Sequence, residues 1–147
     1  MRTRTEGVVA ANRGAVRREA SCQCGQLRVR VEGEPVRIST CHCLACQRRT
    51  GSPFGAQARF PEERVEVEGE YTEHRRSSDD GEEERIFRFC PRCGSTVFYS
   101  GSELPELIAV PLGAFGDPDF PPPRTSVWER RRHPWVVVPE SVERHRD

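Results

Sequence analysis

The chain has 147 residues, room for one domain of ordinary size and little more. Hydrophobic residues are 35% and charged residues 31%, a thin core for a chain that should bury roughly 70% of its unfolded surface. Charge is balanced at 23 against 23 with no basic block interleaved with aromatics, so bulk charge does not suggest nucleic-acid binding, and the longest apolar run, Val136–Val138, excludes a membrane span.

In chain order, residues 1–18 lack periodicity and read as a flexible tail, ahead of a single domain over 19–140 and a C-terminal tail at 141–147. Leu27, Val29 and Val31 alternate with Gln26, Arg28 and Arg30, a strand pattern. Gly33-Glu34-Pro35 reads as a turn, and Val36 and Ile38 begin a second strand. The only helix candidate is brief, Leu44 to Arg49, with Gly51 to stop it. Phe54, Ala56, Ala58 and Phe60 alternate, as do Val65 and Val67 before Gly69. Arg85–Phe89 and Thr96–Tyr99 flank a cysteine knuckle, with an acidic hairpin tip expected at Ser77–Glu84. Leu107–Val110 gives another strand, Gly113–Pro123 a loop, and Trp135–Val138 a last strand. Seven or eight short strands between turn residues predict an all-β or mainly β fold with little helix.

All 23 positions of the Lys-plus-Arg class are arginine, so Schiff-base chemistry, which needs a lysine amine, is excluded. Seven cysteines, an odd number, argue against a closed disulfide framework. The apolar stretch Val8–Ala11 is too short for a signal-peptide core, and Glu6 and Glu19 weaken a transit-peptide reading. A cytoplasmic location follows as the expectation, and there clustered cysteines serve as metal ligands or catalytic groups.

The cysteines form three groups: Cys22-Gln23-Cys24-Gly25, Cys41-His42-Cys43-Leu44-Ala45-Cys46 and Cys90-Pro91-Arg92-Cys93-Gly94. In an extended segment, side chains at i and i+2 share a face, so Cys22 with Cys24, and Cys41 with Cys43, can each grip one ion. Cys-Pro-x-Cys-Gly reads as a zinc knuckle, with Gly94 letting the backbone bend back. The knuckle pairs most naturally with Cys22 and Cys24, making the four sulfurs of a structural zinc, worth on the order of 10 kcal/mol to a thin core. The middle group is left with three sulfurs, and three protein ligands leave a vacant position of the catalytic kind. His42 is the tempting fourth ligand, yet in an extended Cys-x-Cys it points away from Cys41 and Cys43. Two other readings stay open: both sites structural, with a distant His or Asp completing the second, or Cys90 and Cys93 acting as a redox dithiol.

At these residues the sequence resembles the glutathione-dependent formaldehyde-activating enzyme family, which includes the related domain of centromere protein V. The resemblance runs from about Ala20 to Val138 and rests on Ser21–Gly25, on Cys41–Cys46 followed by Thr50-Gly51-Ser52, on Phe89–Ser95, and on Trp128 with Pro134-Trp135. It implies a tent-like, zinc-bearing β fold of short antiparallel strands, a structural zinc on Cys22, Cys24, Cys90 and Cys93, and a catalytic zinc on Cys41, Cys43 and Cys46. The implied activity is condensation of formaldehyde with glutathione, a carbon–sulfur lyase reaction written in reverse. The family commonly carries His two residues before the aromatic matching Trp128, where this chain has Ser126.

For a glutathione-like thiol, Arg48 and Arg49 are placed in sequence to meet carboxylates, and Thr50 and Gly51 to offer a hydroxyl and a backbone N–H, unless they simply end the helix. Phe54 and Trp135 are expected in a pocket wall or the core, and His74, His133 and His145 at the surface. The expected partners are a small thiol and a small aldehyde, with two zinc ions as cofactors and neither nucleic acid nor membrane. The competing reading is a zinc-stabilised binding module without turnover, and a third is a metal reservoir or thiol redox sensor.

Overall fold

The computed structural model describes residues 15–78 and 81–147. Most of the expected N-terminal tail lies outside them, but its last two residues do not trail: Arg17 and Arg18 open the first strand. The described residues are mainly β, in two sheets with one α-helix.

The smaller sheet has three antiparallel strands in the order β1-β2-β5: β1 at Arg17–Ser21, β2 at Arg28–Glu32 and β5 at Val65–Glu68. The larger sheet has eight. In chain order these are β3 at Arg37–Cys41, β4 at Gly55–Pro61, β6 at Thr72–Ser77, β7 at Glu84–Phe89, β8 at Thr96–Gly101, β9 at Leu107–Pro111, β10 at Thr125–Val127 and β11 at Glu143–Arg144. Their spatial order is β11-β10-β3-β4-β9-β8-β7-β6. The single helix α1 spans Leu44–Thr50. Within the large sheet, β10 runs parallel to both β3 and β11, so one edge departs from the antiparallel pattern.

Alternation explains the main core. Leu27, Val29 and Val31 on the small sheet meet Ile38, Ala58, Phe60, Phe98, Ile108 and Val110 on one face of the large sheet, all buried. The loop expected at Gly113–Pro123 starts with a 3-10 turn at Leu112–Phe115 and lays Phe115 against Phe120, ring centroids 4.5 Å apart, over that core. The opposite face of the large sheet carries a second small cluster, Phe87, Tyr99 and Ala109. Polar alternates hold each surface: on β2, Arg30 is bound by Glu19 and Glu68 from its two neighbouring strands.

Two expectations are corrected. Trp135–Val138 forms no strand: Val136 is buried, but Trp135 is 69% and Val137 87% exposed, and Val136 N–H closes a turn on the His133 carbonyl at 3.0 Å in place of a ladder bond. The C-terminal stretch is not a free tail, since Glu143–Arg144 adds β11 to the sheet edge. Of the acidic tip expected at Ser77–Glu84, positions 79 and 80 lie outside the described residues; on either side of them Ser78 N–H donates to the Glu83 carbonyl at 2.7 Å, between the paired strands β6 and β7.

Candidate metal centres

The seven cysteines are free thiols and gather into two groups, Cys22-Cys24-Cys90-Cys93 and Cys41-Cys43-Cys46, the sulfurs of each lying within 4.8 Å of one another. Either group could hold a metal ion.

The first group is built from two similar turns. After β1, Gly25 N–H returns to the Cys22 carbonyl at 3.1 Å and Leu27 N–H reaches the Cys22 sulfur at 3.3 Å. After β7, Gly94 N–H returns to the Cys90 carbonyl at 2.8 Å and Arg92 N–H reaches the Cys90 sulfur at 3.4 Å. Both glycines have positive φ, 82° and 79°, a conformation that a side chain would strain. Thus Cys22 and Cys24 converge through a tight turn, not through an extended strand as the i, i+2 argument assumes. The Gln26 amide also donates to the Cys90 sulfur at 3.0 Å.

The spacing of the sulfurs tests what they are for. Cys22 and Cys24 are 3.5 Å apart and Cys24 and Cys90 3.7 Å apart. A disulfide needs about 2.05 Å. A tetrahedral ion at about 2.3 Å from four sulfurs sets them about 3.8 Å apart, so this group fits a four-coordinate ion. Cys93 is followed by strand β8, not by a helix, which sets the pair apart from a helix-opening dithiol.

The second group straddles the end of β3 and the start of α1. Cys41 is the last residue of β3, and Cys43 is the N-cap of α1, extended at φ −62° and ψ 152°, its sulfur accepting from Cys46 N–H at 3.3 Å. One turn into the helix, Cys46 comes back to the same place. The three thiols share protons unequally. Hydrogen bonds from Cys41 and Cys46 hold Cys43 down at about 2, while the bond to Cys43, with burial, pushes Cys41 far above the ordinary thiol range. Three thiolates this close repel one another, and a bound cation is what lets them ionise together.

His42 does not join them. It is 1% exposed, and its Nε2 lies 3.0 Å from the Ser126 hydroxyl of β10 while its ring leans on Phe54, centroids 5.6 Å apart. Burial lowers its pKa, so the imidazole is held neutral. Among the described residues no other His, Cys, Asp or Glu groups with the three sulfurs.

The expected substrate contacts divide. Arg48 is exposed. Arg49 turns inward: its guanidinium carbon sits 5.1 Å over Phe87 and 5.3 Å over Tyr99. Thr50 donates its hydroxyl to the Cys46 carbonyl at 2.8 Å, and Gly51, at φ 66°, gives its N–H to the Gln47 carbonyl at 2.8 Å, so both close the helix. Phe54 is half-buried against His42, but Trp135 is exposed and walls nothing. His74 and His145 are exposed, the latter bound to Glu143, whereas His133 is not free at the surface: Gln47 Oε1 holds its Nε2 at 2.8 Å.

Two features of this site had no sequence signal that the motifs exposed. Gln47 stitches α1 to the segment after β10, its amide donating to the carbonyls of His42 at 2.8 Å and Arg131 at 2.9 Å. Gly55 opens β4 directly beside Cys46, where an added Cβ would lie 3.8 Å from the sulfur and 3.3 Å from Arg49 Nη2.

Fold and site together define a mainly β domain with one four-sulfur and one three-sulfur centre, each able to take a metal. A sequence model of the family described as glutathione-dependent formaldehyde-activating enzyme matches residues 17–131, and the chain belongs to that family. Membership links it to formaldehyde activation, with glutathione and formaldehyde as the substrates the family implies. No curated protein matches it significantly. A structural-genomics crystal structure of a Rhodobacter sphaeroides protein is similar at TM-score 0.53 and 20% identity, covering 71% of this chain and 91% of that one, a likeness of fold alone. Among the described residues no helix is long and apolar enough to cross a membrane.

Proposed function

We propose that this chain is a zinc-dependent enzyme of the carbon–sulfur lyase type, adding formaldehyde to a small thiol such as glutathione or removing it again. The observation that carries the reading is the uneven split of the sulfurs, four in one group and three in the other, with His42 turned away to Ser126. Cys22, Cys24, Cys90 and Cys93 hold the architectural ion, and Cys41, Cys43 and Cys46 the catalytic one. Zinc suits both, since thiolate-rich tetrahedral seats select it. Bound by three thiolates, it would supply a coordination position that keeps a substrate thiol ionised near neutral pH.

The net reaction is an addition without redox change. The thiol sulfur bonds to the carbonyl carbon, the C=O π bond opens, and the thiol proton ends on the new hydroxyl oxygen. The protein's contribution is placement, because holding two reactants together replaces an encounter in solution. Arg49, beside Cys46, supplies positive charge for a substrate carboxylate. The neutral His42 and the bulk of Phe54 fill the far side of the cysteine loop and keep it in shape.

Metal content of purified protein and of Cys43→Ser tests this directly. Two zinc ions falling to about one, with the fold retained and thiol-dependent formaldehyde consumption lost, is the expected result. Full zinc in the wild type with no turnover of any small thiol would favour the binding-module reading.

A further inference from the structure

The outer face of the small sheet sets its charges in cross-strand rows, and one row differs from its neighbour. Register pairs Arg30 with Glu19 on one side and Glu66 on the other, and pairs Arg17 with Glu32. Because Val31 faces Val65, Arg64, the residue just before β5, continues the Arg17–Glu32 row on the far side. The Arg30 row is closed: Arg30 Nε meets Glu19 at 3.0 Å and its Nη1 meets Glu68 at 2.9 Å. The Arg17–Glu32–Arg64 row is open. None of its three side chains makes an ion pair or a hydrogen bond among the described residues.

Glu32 is also the buried member of its face. Arg28 and Arg30, on the same side of β2, are exposed, whereas Glu32 is 8% exposed and its Oε1 is shut off from solvent without a hydrogen-bond partner. Buried charges are ordinarily paired. Glu32 lines a cavity of about 380 Å³ whose wall also carries Arg17 and Arg64, a size within the range of small-molecule sites. The other charges around it are matched inside the protein: Arg18 by Glu34 at 3.3 Å, and Glu19 and Glu66 by Arg30 at 3.0 and 4.0 Å. Two guanidinium groups and one carboxylate remain, the first needing acceptors and the second a donor. A simple anion would set like charge against Glu32, and a simple amine would do so against the arginines. A molecule with one ammonium and two carboxylates matches the set group for group and offsets its excess of positive charge.

We propose that Arg17, Glu32 and Arg64 form a binding site for a free acidic amino acid, its ammonium on Glu32 and its carboxylates on the two arginines. The site belongs to the small sheet, whereas Cys41, Cys43 and Cys46 sit at the junction of β3 and α1 on the large one. It needs no thiol and is independent of what the three-sulfur centre does. Glu32 makes the selective contact, because a dicarboxylate without an ammonium meets repulsion there.

The test is titration calorimetry of the zinc-loaded protein with L-glutamate, with glutarate, which lacks the ammonium, and with γ-aminobutyrate, which lacks one carboxylate. L-Glutamate should bind about tenfold or more tightly than either, the scale of one charge-assisted hydrogen bond. Glu32→Gln should remove most of the preference over glutarate. Arg64→Gln should remove most of the preference over γ-aminobutyrate, and Arg64→Lys should restore part of it. Arg64 is exposed, so its variants carry the test even where circular dichroism shows that Glu32→Gln does not fold. Cys43→Ser should bind L-glutamate as the wild type does; loss of binding there would tie the ligand to the sulfur centre and overturn the separate site. No binding of L-glutamate at millimolar concentration, equal binding of glutarate, or an L-glutamate affinity unchanged in both the Glu32 and Arg64 variants also overturns it.

Discussion

Ser126 and His42 share a hydrogen bond of 3.0 Å in a place with no access to solvent, Ser126 being 0% and His42 1% exposed. The bond ties β10 to the loop between Cys41 and Cys43 and turns the imidazole away from the sulfurs. The other ring nitrogen, Nδ1, is buried without a partner, so Ser126 carries all the polar satisfaction that the ring's nitrogens receive. Ser126→Ala should therefore cost about 1–3 kcal/mol, the penalty of a stranded buried donor or acceptor. Urea denaturation would show it as a lower midpoint at unchanged slope, with zinc content still at the wild-type level.

The four-sulfur centre should behave differently from the three-sulfur one. A structural zinc contributes on the order of 10 kcal/mol, comparable with the whole stability of a domain, about 5–15 kcal/mol. Cys93→Ser is expected to leave the chain largely unfolded by circular dichroism, where Cys43→Ser stays folded. A well-folded Cys93→Ser protein would remove the architectural role.

Alkaline pH offers a test through Tyr99. Burial raises its pKa to about 12 from 10, so the folded state keeps the phenol protonated after the unfolded chain has released it. The native state then binds more protons, and stability falls as pH rises. The contribution is fully present below pH 10 and lost as pH climbs through about 12, a total of about 3 kcal/mol at 1.36 kcal/mol per unit. Tyr99→Phe should remove this loss: compared at pH 8 and pH 11, its stability should drop less than that of the wild type.

Gly55→Ala places a methyl group 3.3 Å from Arg49 Nη2 and 3.5 Å from the Cys46 Cβ. The arginine head is flexible and Gly55 does not have positive φ, so the fold should hold within about 1 kcal/mol. The added methyl stands between the Cys46 sulfur and Arg49, however, and thiol affinity should fall about tenfold, about 1.4 kcal/mol. Unchanged affinity by calorimetry would show that ligands do not approach the cysteines from the Gly55 side.

Legibility in the sequence followed the range of the interactions involved. Strands with an apolar face against the core, such as Leu27-Val29-Val31 and Ala58-Phe60, announce themselves by alternation. Strand β6, Thr72–Ser77, is almost wholly exposed and has no such pattern, and β10 and β11 are too short to show one. The apolar run at Trp135–Val138 misled in the opposite direction, since a run that buries only Val136 and leaves Trp135 and Val137 exposed has no ladder partner to make it a strand. The cysteine groups were readable because ligand type and local spacing carry the information. Gly55 was not, because its place beside Cys46 exists only once the register of β4 against β3, Gly55 opposite Cys41, is set.

The knot of Cys22, Cys24, Cys90 and Cys93 joins the β1–β2 turn of one sheet to the β7–β8 turn of the other, Cys24 and Cys90 being 66 positions apart. If the knot is loaded, the alignment of the two sheets is under mass-action control. Each tenfold fall in free ion above saturation subtracts about 1.4 kcal/mol from the folded state. A cell short of that ion would lose this protein to unfolding as well as to idle active sites, so its abundance would follow metal supply.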